Sequence, residues 1–126
     1  MIVPEDLRYS TDHEWARQDG RRVRVGITDY AQDALGDVVF VELPTVGTEI
    51  EAGSPLGEVE STKSVSELYA PASGRVVEVN AALTTEPERL NEDPYGEGWI
   101  CEIELGEQGS LDALLDATAY RRLIET

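Results

Sequence analysis

The chain has 126 residues, 40% apolar and 29% charged, which suits one domain over residues 1–126 with one core. Ten basic residues against 26 acidic ones leave a formal net charge of −16, a balance that repels phosphate backbones and disfavours nucleic acid as a partner. No apolar run reaches membrane-helix length, no signal-peptide pattern opens the chain, and the single Cys101 cannot close an internal disulfide, so the expected location is cytoplasmic.

In chain order, the polar and aromatic mix from Leu7 to Trp15 predicts a short edge strand. Arg22 to Ile27 alternates, with Val23, Val25 and Ile27 on one face of a half-buried strand. Thr28 or Asp29 caps a short helix through Leu35, and Gly36 supplies the left-handed residue that ends it. Asp37 to Leu43 is β-branched and stops at Pro44.

Short strands then follow over Gly57 to Glu60, Val65 to Tyr69 and Arg75 to Asn80, separated by Gly, Pro and Ser turns. Asn91-Glu-Asp-Pro-Tyr-Gly96 has the composition of a structural loop, and its acids do not match the spacing of a calcium loop. Trp99, Cys101, Ile103 and Leu105 share one face of a later strand, which makes Cys101 a buried core residue. Ser110, and then Asp116 or Thr118, are cap candidates for two short C-terminal helices in series. The expected class is mostly β, a sandwich or barrel with small helices at the end.

Lys63 is the only lysine, beside nine arginines. Two short β runs flank Ser61-Thr62-Lys63-Ser64, so the simplest geometry is a hairpin with the lysine at its tip. A solvated surface charge is one reading, worth about 0–1 kcal/mol in weak ion pairs, yet arginine serves that purpose everywhere else in this chain. Arginine cannot supply a nucleophilic amine, whereas lysine can be acylated. Schiff-base catalysis by Lys63 is disfavoured, because Glu58, Glu60 and Glu67 favour the ammonium over the free amine. His13, the only histidine, has no ligand cluster around it, so it reads as a packing or surface residue and no metal site is expected.

The run Val59-Glu-Ser-Thr-Lys-Ser-Val-Ser-Glu-Leu-Tyr-Ala-Pro-Ala-Ser-Gly74 resembles the lipoylation segment of the glycine cleavage system H proteins. His13-Glu14-Trp15, Gly26 to Pro44, and Leu90 to Trp99 extend the resemblance along nearly the whole chain. It implies a lipoyl-type barrel-sandwich hybrid of two small sheets with short C-terminal helices. It also implies a non-catalytic carrier with lipoic acid covalently attached to Lys63. The implied partners are a pyridoxal-phosphate-dependent glycine decarboxylase, a tetrahydrofolate-dependent aminomethyltransferase, dihydrolipoamide dehydrogenase and a lipoate-attaching enzyme. The aminomethyl group of glycine would pass between the first two, and the third would reoxidise the arm.

The same resemblance names candidates for sheltering the loaded arm. Glu14 matches a position implicated in contact with the arm's amine. Asp12 and Glu67 stand where relatives often have serine and aspartate, and Ala34 stands where many have histidine. A lipoyl domain of a 2-oxo acid dehydrogenase complex is the nearest alternative, but such domains lack His13-Glu14-Trp15 and the C-terminal segment. A biotin carrier would place methionine on both sides of the lysine, where this chain has Thr62 and Ser64. An acidic β interaction module with Lys63 unmodified is the alternative from a different class. An enzyme in its own right is disfavoured, because no nucleophile–base pair or metal cluster is visible in the sequence.

Overall fold

Alternating β-branched residues build the larger of two sheets. A computed structural model describes residues 1–107 and 109–125. Its first strands are β1 (Arg8–Tyr9), β2 (Glu14–Asp19) and β3 (Arg22–Ile27). They are joined in one six-stranded antiparallel sheet by β5 (Glu49–Ile50), β8 (Gly74–Val79) and β9 (Cys101–Leu105), in the order β1-β2-β3-β9-β8-β5. Val23, Ile103 and Val76 stand in register across three of these strands, and all are fully buried. Each such side chain contributes roughly 1.5–3 kcal/mol by leaving water.

The second sheet has three antiparallel strands in the order β4 (Val38–Glu42), β6 (Pro55–Ser61) and β7 (Val65–Tyr69). Val41 and Val59 are paired across it and turn inward, so both sheets share one apolar cluster. A smaller cluster gathers Val3, Leu7, Tyr9, Trp15 and Tyr120 against the C-terminal helix α3 (Ala117–Ile124). There the Tyr9 and Tyr120 rings stack with centroids 4.6 Å apart. Two sheets and a short C-terminal helix make this mostly β fold the expected lipoyl-type sandwich. No helix among the described residues is long and apolar enough to cross a membrane.

Helix α1 (Asp29–Leu35) forms where expected, with Thr28 Oγ1 accepting from Ala31 N and Gly36 at φ 79° just past its end. Cys101 is fully buried, and burial pushes its thiol pKa up to about 12.

Three local readings change. The stretch from Leu7 to Trp15 is not one strand, because Ser10 to His13 turn the chain between β1 and β2. Ser10 Oγ accepts from Glu14 N, and His13 adopts φ 68°. Asn91 lies in a helical turn, α2 (Arg89–Glu92), rather than in a loop. Residues 110–115 do not form a helix. Leu115 instead exchanges backbone hydrogen bonds with Tyr9, and a single helix capped by Asp116 follows. The leucine spacing there reflects two clusters to be filled, with Leu111 in one and Leu115 in the other.

Truncating the central row should be expensive while sparing the hairpin. Ile103→Ala is expected to lower unfolding stability by about 2–5 kcal/mol, read from the urea midpoint, with no change in Lys63 exposure to an acylating reagent.

Candidate functional site

The hairpin joining β6 to β7 carries Lys63. Ser61 N donates to Ser64 O at 2.8 Å and closes the turn. The Ser61 hydroxyl accepts from Lys63 N at 3.2 Å and from Ser64 N at 3.1 Å, so one buried side chain holds the tip without a glycine turn. Thr62, Lys63 and Ser64 are exposed, as the sequence predicts. At the base, Val59 and Leu68 are buried in the core. The tip is therefore exposed and the base fixed.

Beside the hairpin, between β7 and α1, lies a groove of about 320 Å³. Ile27, Ala31, Leu35, Val59 and Leu68 give it apolar surface, while Asp12, Glu67, Ser64 and Ser66 supply polar groups. Asp12 and Glu67, far apart in sequence, thus line the same concavity, and both are exposed. Ala34 also lines it, so the groove is open where a larger side chain would narrow it.

Glu14 is not among the lining residues. It is only 2% exposed and sits one strand away, with its carboxyl already engaged: Ser10 Oγ donates to Oε1 at 2.6 Å and Tyr69 N donates to Oε2 at 3.0 Å. The second contact ties β2 to the end of β7. Burial raises its pKa from 4.5 to about 7, against the lowering effect of those two hydrogen bonds.

His13 lines the groove through a ring that is already committed. Its Nδ1 is 2.8 Å from Tyr120 Oη, and it packs on Tyr30 with ring centroids 4.7 Å apart. Burial lowers its pKa and so favours the neutral ring, partly opposed by the Asp12 carboxylate. Among the described residues no group of three or more His, Cys, Asp or Glu side chains could hold a metal ion.

Sequence reasoning missed Tyr30, Ala31 and Leu35 as groove wall, and it missed Gly36 as a contact of the lysine stem. A Cβ built on Gly36 would lie 3.0 Å from Lys63 Cε. The small residues Ala31 and Ala34, three apart on α1, were the available signal, since they leave one helix face shallow.

An exposed lysine on a hairpin tip, projected from a two-sheet sandwich beside a groove, defines a lipoyl-type carrier fold. The comparisons with known proteins narrow this class. The glycine cleavage H-protein family model matches residues 7–126. A glycine cleavage system H protein of Anaeromyxobacter sp. (strain K) is 57% identical over 125 residues, covering 99% of this chain and 98% of the relative. One from Thermus thermophilus is 54% identical over 126 residues, covering 100% of this chain and 98% of the relative. The crystal structure of a glycine cleavage system H protein from Mycobacterium marinum superposes with TM-score 0.87 at 46% identity, over 98% of this chain and 100% of that one. The chain belongs to the glycine cleavage H-protein family.

Glu14 gives the fold a measurable pH dependence. Its folded pKa is raised, so the folded state holds the proton more tightly than the unfolded chain. That stabilisation is fully present below about pH 4.5 and is lost as pH rises through about 7. Its size is on the order of 3 kcal/mol at most. Glu14→Gln keeps an acceptor for Tyr69 N but does not ionise. The melting temperature of the wild type should therefore fall relative to Glu14→Gln between about pH 5 and 8.

Proposed function

We propose that this chain is the lipoyl carrier of a glycine cleavage system, with lipoic acid in amide linkage to Lys63 Nζ. The observation that carries the reading is Lys63 itself: the only lysine, exposed at the tip of a hairpin whose base is locked into the core. Among the described residues its ammonium has neither an ion pair nor a hydrogen bond, so acylation there breaks no contact of the fold.

The residues present fit such a group. Its alkyl chain and dithiolane match the apolar surfaces of Ile27, Leu35 and Leu68, its amide matches Ser64 and Ser66, and the amine it would carry when loaded matches the carboxylates. When bound, lipoate supplies a dithiolane that takes up reducing equivalents and the aminomethyl group of glycine.

The chain's own residues do the rest. Asp12 and Glu67 face a cationic amine brought into the groove, and two carboxylates there hold it by charge while the apolar wall keeps water away. Glu14, with both carboxyl oxygens occupied, serves as the brace between β2 and β7 that fixes this wall. The chain catalyses no step alone and presents its arm to enzymes.

Those partners are a pyridoxal-phosphate-dependent glycine decarboxylase, a tetrahydrofolate-dependent aminomethyltransferase, dihydrolipoamide dehydrogenase and a lipoate-attaching enzyme. The outer face of the three-stranded sheet suits brief docking with basic surfaces. Glu42 and Glu58 are paired across it, and Phe40, Glu60 and Val65 form the next row. Phe40 is 51% exposed and Val65 59% exposed, so each docking event can bury apolar area within an acidic frame.

The test is direct. Intact mass of the protein incubated with a lipoate-attaching enzyme, ATP and lipoic acid should rise by one lipoyl group, located at Lys63 by peptide mapping. Lys63→Arg should fold as the wild type does, take no lipoyl mass and give no turnover in a reconstituted glycine cleavage assay. Wild-type turnover by Lys63→Arg would sink the reading.

A further inference from the structure

The segment Asn91–Tyr95 grips both ends of α1, the helix that walls the groove. At one end the Asn91 amide is fully used. Its Nδ2 donates to Gly36 O at 2.8 Å and to Gln32 Oε1 at 3.1 Å, and its Oδ1 accepts from Val38 N at 2.9 Å. At the other end Tyr95 Oη accepts from Asp29 N at 3.0 Å and donates to Ile2 O at 2.7 Å. A helix of seven residues has little stability of its own, so its placement follows from what holds its ends.

The Gly36–Val38 junction is also where the hairpin tip rests. Asp37 O accepts from Thr62 N at 3.0 Å. The lysine stem lies over Gly36, where a Cβ would come within 3.0 Å of Lys63 Cε and 3.6 Å of Nζ. Gly36 has φ 79° and ψ −156°, a conformation reserved for glycine, so the junction is shaped both to turn sharply and to leave room for the stem. Thr62 N and the Val38–Ser61 strand pair attach this junction to the hairpin, and the Asn91 side chain, reaching it from α2, is the one that binds Gly36 and Val38 at once and ties them to Gln32 of α1.

We propose that Asn91 is a positioning residue for the acylation of Lys63. By fixing the Gly36–Val38 junction, it lays the lysine stem against the end of α1 and sets the direction in which a group bonded to Nζ leaves the hairpin. The proposal rests on the reading of Lys63 as the attachment point. It assigns a functional task to a motif whose composition reads as a structural turn.

The single lysine makes the test clean, because carbon-13 labelling of lysine Cε reports Lys63 alone. Asn91→Ala removes all three hydrogen bonds. Asn91→Asp keeps the acceptor for Val38 N and loses both donors, and it carries the test if Asn91→Ala does not fold. In each folded variant the nuclear Overhauser contact between the Lys63 ε-methylene and the Gly36 α-protons should vanish, while the amide spectrum of the six-stranded sheet stays in place. The kcat/KM for lipoate attachment should fall about tenfold. A lowered melting temperature with the Lys63–Gly36 contact and the attachment rate retained overturns the proposal alone. A wild-type chain that takes no lipoyl mass at all overturns the attachment reading, and the proposal with it.

Discussion

The site depends on one mechanical asymmetry, a hairpin buried at its base and exposed at its tip. Val59 and Leu68 sink into the core from adjacent strands, and the Glu14 carboxyl takes Tyr69 N at the far end of β7. With the base fixed, the Ser61 hydroxyl holds the turn and Thr62 N rests it on Asp37 O, while Lys63 stays exposed. Burial further out would hide the lysine. Less burial would let β7 move, and with it the groove wall to which it contributes Ser66, Glu67 and Leu68. Core packing therefore acts at a distance: it turns two residues, one on each strand, into a stiff mount for an exposed amine.

The hairpin was readable because its information is local. Period-two alternation gives the strands, and a lysine in a chain that otherwise uses arginine marks the tip. The groove was less readable because it joins four separated stretches: residues 12–13, Ile27, the helix 30–35, and the strands on either side of Lys63. Periodicity shows that Ala31 and Ala34 share a helix face, but which strand that face meets is decided by tertiary packing. The Ser110–Leu115 segment shows the opposite error. Its leucines have helical spacing, yet a backbone pair with Tyr9 and two different apolar clusters claim them, and tertiary demand overrides a weak local preference.

Glu14 is an instance of a residue whose neighbourhood changes its meaning. By sequence it is an acid beside a histidine and a tryptophan, and the family resemblance ties that position to the arm's amine. By geometry it is a buried carboxyl with both oxygens satisfied and a pKa raised to about 7. A group half-protonated near neutrality is a poor permanent counter-ion, whereas the exposed Asp12 and Glu67 already face the groove. The fold separates two tasks, bracing the wall and lining it, that a linear motif presents as one.

Charge is divided between the faces in a way that suits a carrier. On the outer face of the six-stranded sheet, Arg22 and Arg24 pair with Glu102, and Arg75 pairs with Glu104, so that face is close to neutral. The rows Glu42–Glu58–Glu67 and Phe40–Glu60–Val65 carry acids without any arginine, and Lys63 stands in the turn that joins two of their strands. Amide formation at Nζ, as proposed above, would abolish that cation and leave the hairpin face more acidic. A partner with a basic entrance would then attract the acylated chain more strongly than the unmodified one, while solvent screening of exposed charges would keep each encounter short.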